Sequence, residues 1–150
     1  MPKLDLESIP ETNATGYPSP FDRAVAERWY KRLAPAAGLT EIGASHVVLK
    51  PGAWSSQRHW HAEEDELVVI LSGEAVLVED EGETLLKPGD IAAWAKGVRN
   101  GHVLQNRSDN DCLFLAISAG NTAKDWGEYS DIDMKFVRAT GFLHKDGTPY

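Results

Sequence analysis

The stretch "QRHWHAEEDELVVILSG", residues 57–73, places two histidines two residues apart, then consecutive carboxylates, then an apolar run that ends at a glycine. In a β-strand the side chains alternate between two faces, and each residue advances about 3.3 Å. His59 and His61 would therefore point the same way, with Cα atoms about 6.5–7 Å apart, and their imidazoles could bind one metal ion. Trp60 would face the opposite side, toward a core layer or a subunit contact.

Glu66 follows His61 by five residues, an odd offset that would put its side chain on the wrong face of a continuous strand. We therefore expect a tight turn at "AEED", residues 62–65, after which Glu66 returns beside the histidines on a neighbouring strand. The other carboxylates of this run are expected in a solvated turn. Glu64 is the substitute ligand if Glu66 faces away.

A third histidine lies in "GHVLQN", where His102, Leu104 and Asn106 would share one face of a strand. Three imidazoles and one carboxylate form a ligand set that suits one divalent transition metal, with Fe, Mn, Ni, Co and Zn as the candidates. The alternative is a metal-free buried network in which Glu66 pairs with a protonated histidine. Because an uncompensated carboxylate inside a barrel is costly, the metal is the favoured interpretation.

The rest of the chain divides into three parts. Residues 39–120 contain many short apolar segments separated by Gly, Pro and Asp, which predicts an all-β antiparallel sandwich or barrel. Prolines at positions 2, 10, 18 and 20 predict an extended N-terminal arm within residues 1–38, followed by a segment that fits either a short helix or a strand. Residues 121–150 are expected to form a C-terminal strand and a tail that pack on the barrel.

These residues resemble the two motifs of the cupin superfamily. The first motif is a glycine, His-x-His, a glutamate and a second glycine, and the chain supplies Gly52, His59, His61, Glu66 and Gly73. The only departure is a loop of six residues, one more than usual, between Gly52 and His59.

The second motif is matched by Gly89, Gly97, His102 and Asn106. Ala95 stands where the family usually has proline, and four residues rather than two separate Gly97 from His102. The resemblance covers roughly residues 40–118 and is closest to small stand-alone bacterial cupins. It implies a double-stranded β-helix, or jelly-roll, barrel with an extended N-terminal arm.

The resemblance also implies chemistry at the predicted metal. Four protein ligands leave open positions on a six-coordinate ion, so that a substrate carbonyl, a hydroxyl or O₂ can bind and be polarised. The expected function is a metal-dependent enzyme that acts on an organic acid, a sugar derivative or a catechol-like compound. Dioxygenation, decarboxylation and isomerisation all stay open, and no catalytic acid or base is assigned. The alternative is a non-catalytic sensor or binding protein for a small ligand.

Three further residues are candidates for contacts around the metal or the substrate. Gln57 has the same strand parity as His59 and His61, which favours a supporting or substrate-contacting role. Arg99 lies in the lengthened loop before His102, where it could contact an anionic substrate. Tyr129 is a candidate at the cavity mouth.

Bulk properties limit the partners. A net charge of −8 without a basic cluster argues against nucleic acid. The chain begins without a signal-peptide pattern, has no run of 18 apolar residues and contains a single cysteine, so we expect a cytoplasmic protein without a membrane segment. Exposed strand edges, the proline-rich arm and Trp60 predict a homodimer.

Overall fold

The computed structural model describes residues 3–150 and is built almost entirely from β-strands. The described helices are the four-residue α1, Leu33–Ala36, and the short 3₁₀ segments Leu6–Ser8, Arg23–Val25 and Thr122–Lys124. None of the helices in the described part of the chain is long and apolar enough to cross a membrane. The strands are β1 Glu11–Thr12, β2 Arg28–Arg32, β3 Ile42–Leu49, β4 Glu64–Ser72, β5 Ala75–Glu79, β6 Gly82–Leu86, β7 Ile91–Trp94, β8 Val103–Gln105, β9 Cys112–Gly120, β10 Trp126–Glu128, β11 Lys135–Val137 and β12 Gly141–Leu143.

The described strands form three antiparallel sheets. The largest has the order β1-β2-β3-β9-β4-β7, and the smaller two have the orders β6-β5-β8 and β10-β11-β12. From β3 onward, neighbours in the large sheet are distant in sequence, as in a jelly roll, where strands cross between two facing sheets. The expected all-β, jelly-roll class is confirmed.

The inner face of the large sheet changes character along its strands. At one end it carries large apolar side chains such as Leu49 and Ile70, which pack with Phe114 in the core. Two residues beyond the pair of Val47 and Phe114, the facing positions of β3 and β9 are held by the smaller Ser45 and Ala116. The core therefore fills one end of the barrel, and the small side chains leave space at the other end.

The described part of the N-terminal arm packs on its own barrel. Strand β1 pairs with β2, the hydroxyl of Tyr30 donates to the carbonyl of Ala14 at 2.9 Å, and Asn13 donates to the carbonyl of Ala26 at 2.9 Å. The segment "RWYKR", for which a helix and a strand were both open, is strand β2. Pairing with β3 along its whole length explains this outcome.

The predicted turn at residues 62–65 is wrong. Only Ala62 and Glu63 form a bend, and β4 begins at Glu64, which pairs with Gly120 of β9. Glu64 and Glu66 consequently share one face of β4, and Glu64 is only 4% exposed rather than solvated. The histidines also lie outside a regular strand, because His59 forms only isolated bridges to His102 and Tyr129.

The C-terminal region covers the end of the barrel that carries the space. Its small sheet contributes Tyr129, Met134 and Phe136 to a second apolar cluster, against which Tyr17 and Phe21 of the N-terminal region pack. Tyr17 and Phe21 therefore meet the C-terminal region at this side of the molecule.

Gly73 closes the turn between β4 and β5 with a φ of +70°, and a Cβ atom there would lie 2.2 Å from the carbonyl oxygen of Asp111. We expect Gly73→Ala to lower the free energy of unfolding by about 3 kcal/mol, because backbone strain and a backbone clash add. Gly89→Ala is the matched control, since its φ is +93° and its Cβ would meet open space. Urea denaturation of both variants measures the difference, and equal losses would contradict the argument.

Candidate metal centre

The predicted ligands His59, His61, Glu66 and His102 are brought together at the spacious end of the barrel. The Nε2 atoms of His59 and His61 are 3.0 Å apart. One carboxylate oxygen of Glu66 lies 3.4 Å from Nε2 of His61, and the other lies 2.8 Å from Nε2 of His102. Ligand atoms of His59, His61 and Glu66 thus all lie within 4.8 Å of one another, and His102 joins this group through its contact with Glu66.

Hydrogen bonds on the far side of two rings set their tautomers. Nδ1 of His59 contacts the carbonyl of Gln57 at 2.8 Å, and Nδ1 of His61 contacts a carboxylate oxygen of Asp125 at 2.6 Å. With a proton on each Nδ1, both Nε2 atoms present lone pairs, which repel at 3.0 Å unless a proton or a cation lies between them. Two ligands about 2.1 Å from one ion, at a right angle, lie about 3 Å apart, so the spacing fits a transition metal.

The ionisation of the cluster favours cation binding. Burial lowers the pKa of His59 to about 4, so this imidazole is neutral near pH 7. Burial alone would raise the pKa of Glu66, but the hydrogen bond with His102 and the neighbouring imidazoles outweigh it and hold the pKa at about 2. Neutral nitrogens and an ionised carboxylate are the forms that bind metal.

Aromatic neighbours fix the orientation of two rings. The indole of Trp94 stacks on His102 with ring centroids 3.8 Å apart and an interplanar angle of 6°. The strand pairing of Trp94 with Glu66 holds this stack beside the carboxylate. Phe136 packs on His61 with centroids 5.0 Å apart. Little rotation of these rings is available, which pre-organises the ligands.

A second buried group lies behind His61. Besides its contact with Asp125, Nδ1 of His61 lies 3.7 Å from a carboxylate oxygen of Glu64, and the other oxygen of Asp125 accepts from the amide of Glu63 at 3.0 Å. His61, Glu64 and Asp125 could by themselves hold an ion. Their arrangement is better explained as support for the first cluster, because a metal-binding histidine usually donates its other N–H to a carboxylate.

The ligand cluster opens into a cavity of about 620 Å³, a size suited to a small organic ligand. The N-terminal arm forms one wall, through Ala14, Thr15, Gly16 and Tyr17. Polar side chains are distributed over the other walls and comprise Arg28, Tyr30, Arg32, Ser45, Ser55, Ser118, Tyr129 and Arg138.

Of the three supporting candidates, only Tyr129 lines this cavity, with its ring centroid 5.4 Å from that of His59. Gln57 points away and donates from its side-chain amide to the carbonyl of Phe21 at 2.9 Å, although its own carbonyl orients His59. Arg99 is exposed and lies over the ring of Trp60 at 5.1 Å, outside the cavity. The loop before His102 thus directs this guanidinium outward.

Sequence reasoning missed Asp125 and the cavity arginines. Asp125 lies 64 residues after His61, beyond the reach of any local periodicity. The alternation of Arg28, Tyr30 and Arg32 indicates a polar strand face only if this segment is assigned as a strand. The sequence alone also allows a helix there.

Comparison with known proteins identifies the family. A family model described as the cupin domain matches residues 45–118. A crystal structure from Silicibacter pomeroyi, described as a sugar phosphate isomerase from a cupin superfamily, is 43% identical, covers 99% of this chain and 96% of that chain, and superposes with a TM-score of 0.93. The chain belongs to the cupin superfamily.

Two other solved structures are similar to this cupin. A putative sugar phosphate isomerase from Acidithiobacillus ferrooxidans is 24% identical, with a TM-score of 0.73 and coverage of 82% of this chain and 80% of that chain, and shows the fold alone. A cupin protein from Bacteroides fragilis is 26% identical, with a TM-score of 0.55 and coverage of 61% and 75%. A search of curated proteins gave no significant match.

Asp125→Asn should weaken metal binding about 10- to 100-fold, because the carboxylate that orients His61 and raises its basicity is lost. Competition with a chromophoric chelator measures the affinity. Asp133→Asn is the matched control, since Asp133 is exposed and pairs with His144 far from the ligand cluster. An unchanged affinity in Asp125→Asn would contradict the supporting role.

Proposed function

We propose that this cupin binds one divalent transition metal through His59, His61, Glu66 and His102 and isomerises a small hydroxy-carbonyl compound of the sugar class. The observation that carries the proposal is the grouping of His59, His61 and Glu66, whose ligand atoms lie within 4.8 Å of one another, with His102 in contact with Glu66, in a cavity large enough for such a molecule. When bound, the ion would supply Lewis-acid polarisation of a substrate carbonyl or hydroxyl.

Proton transfer is the second requirement, because an isomerisation of this type moves a hydrogen between adjacent carbons. Burial raises the pKa of Tyr129, so its hydroxyl keeps its proton and can donate to a substrate oxygen. Glu64 lines the cavity on the same face of β4 as Glu66. We propose that its carboxylate removes the proton from one substrate carbon and returns it to the adjacent carbon. A guanidinium nitrogen of Arg138 lies 3.7 Å from the Glu64 carboxylate.

The comparison with known proteins supports isomerisation over the other cupin reactions. The Silicibacter pomeroyi protein is described as a sugar phosphate isomerase and is similar to this chain over nearly its full length. Dioxygenation and decarboxylation, which the sequence leaves open, have no comparable support. The cavity walls agree with a sugar-like ligand, since hydroxyls and guanidinium groups can bind its oxygens.

The test combines metal analysis with isotope exchange. Protein purified without added metal should contain about one equivalent, and His102→Ala should lower this content sharply, whereas His144→Ala should not, because His144 stacks on Tyr150 outside the cavity. In D₂O, a panel of aldoses, ketoses and their phosphate esters is screened by NMR for interconversion with deuterium incorporation. Because Glu64 also lies 3.7 Å from Nδ1 of His61, turnover is compared per bound metal, and Glu64→Gln should lower it at least about 100-fold.

Ligand binding without turnover by the metal-loaded protein across this panel would contradict the enzyme proposal and favour a sensor. Equal metal content in His102→Ala and the wild type would contradict the ligand assignment.

We also propose that the protein is a homodimer, which the outer face of the large sheet supports. Leu71 and Ile91 are 48% and 62% exposed, and Ile91 lies on the edge strand β7 beside the half-buried Val69. An apolar sheet face next to an open edge is typical of an association surface. Trp60 does not contribute, because it is buried against Trp126 within its own chain.

Ile91→Glu should convert the dimer into a monomer, because it places a charge within the apolar contact. Light scattering coupled to size-exclusion chromatography measures the mass. Leu39→Glu is the control, since Leu39 is 49% exposed but lies outside the sheet. A monomeric wild type, or dissociation in both variants, would contradict this surface.

A further inference from the structure

Strand β2 presents two arginines to the cavity. Arg28, Tyr30 and Arg32 alternate along the strand and all line the cavity wall, because side chains two residues apart share a face. This wall lies apart from the histidine cluster, which is built from the loop before β4, from β4 itself and from the residue before β8. None of the metal chemistry proposed above uses it.

The two guanidinium groups form no ion pair with the described residues. Among residues 3–150, no carboxylate oxygen lies within 4.0 Å of Arg28 or Arg32, whereas Arg58 and Arg107 both form ion pairs on the surface. Arg28 is half-buried, and its burial lowers its pKa. Burying a charge away from water without an ionic partner costs free energy. An anionic ligand beside Arg28 would offset this desolvation cost.

The geometry of Arg28 leaves one edge of its guanidinium free. Nη1 donates to the carbonyl of Ser55 at 2.7 Å, which fixes the side chain. The Nε atom is buried and has no acceptor among the described residues. Nε and Nη2 form the edge of a guanidinium that binds two oxygens of a phosphate or carboxylate side by side. A fixed donor edge without an internal acceptor is what a built anion subsite requires.

Tyr30 holds the two arginines in place. Its ring lies 5.4 Å from the guanidinium carbon of Arg28 and 5.9 Å from that of Arg32, so both cations pack on the same aromatic side chain. The hydroxyl of Tyr30 donates to Ala14 of the arm, which itself lines the cavity. The arm, the tyrosine and the arginines therefore form one wall.

Strand register sets the distance between this wall and the metal ligands. Arg32 pairs with Ser45, Ser45 with Ala116 and Ala116 with Val68, two residues along β4 from Glu66. Strands β2 and β4 are thus three spacings apart, roughly 14 Å between backbones, and the arginine side chains shorten this gap. A molecule that spans it carries its anionic group several bonds away from the group at the metal.

We propose that Arg28 and Arg32, ordered by Tyr30, form a subsite for the phosphate of a phosphate monoester whose carbonyl end faces the histidine cluster. This inference deepens and rests on the proposed isomerase function, since it names the phosphorylated class of its substrate. Two cations suit a dianionic phosphate better than a monoanionic carboxylate. Specificity for phosphorylated over free sugars follows, because an uncharged substrate would leave both guanidinium groups unpaired.

The test uses metal-free protein and inorganic phosphate, so that phosphate binding is measured separately from metal binding and turnover. Calorimetry at pH 8, after removal of metal and chelator, should detect phosphate binding that Arg28→Met and Arg32→Met each weaken about tenfold. Arg23→Met is the matched control, since it removes the same charge from an exposed residue outside the cavity, and its affinity should stay within about twofold of the wild type. Arg32 is exposed, so its variant should fold even if loss of the Ser55 contact destabilises Arg28→Met.

Loss of phosphate affinity confined to the two cavity variants supports the subsite. Unchanged affinity in both, or an equal loss in Arg23→Met, would overturn it, as would acetate binding as tightly as phosphate. The two proposals can be contradicted separately. Phosphate binding without isomerisation in D₂O would support the subsite and contradict the isomerase function. Free sugars could instead turn over as efficiently as their phosphates, with no effect of Arg32→Met. That result would contradict the subsite and support the isomerase function.

Discussion

The candidate site depends on two facing histidine nitrogens that cannot form a hydrogen bond with each other when both are unprotonated. His59 and His61 spend their Nδ1 protons on Gln57 and Asp125, so their facing Nε2 atoms meet as two acceptors 3.0 Å apart. In a fold with few unsatisfied buried groups, such a pair needs a cation or a proton. The supporting hydrogen bonds therefore do more than hold the rings, because they also select the tautomers that can bind a metal.

The antiparallel register of the large sheet positions the Glu66 carboxylate within this cluster. Glu66 pairs with Ser118 on one side and with Trp94 on the other, so the carboxylate lies between a small residue and the indole that stacks on His102. The small residue leaves room for a ligand, and the large one fixes a ring. The same sheet extends outward to Arg32, so the candidate metal ligand Glu66 and the arginine wall are carried by hydrogen-bonded strands of one sheet.

The sequence predicts the class of fold and the convergence of the histidines with Glu66, because these features rest on alternation and motif spacing within short segments. It does not predict how Glu64 is used. A run of carboxylates resembles a solvated turn until Gly120 of β9 pairs with Glu64 and draws it into the barrel. Asp125 and Arg28 are missed for the same reason, since their positions depend on contacts between segments far apart in the chain.

Charge distribution links the two ends of the cavity to the properties of the whole molecule. The chain carries a net charge of −8, yet Arg28 and Arg32 line its cavity without a carboxylate partner among the described residues. An acidic exterior repels anions in general, whereas the half-buried Arg28 and the exposed Arg32 attract them at short range. Entry is then favoured for an anion small enough to pass the N-terminal arm and long enough to reach the histidine cluster. The proposed selection of substrates by charge and by length therefore depends on one sheet, which carries both the arginines and the candidate ligand Glu66.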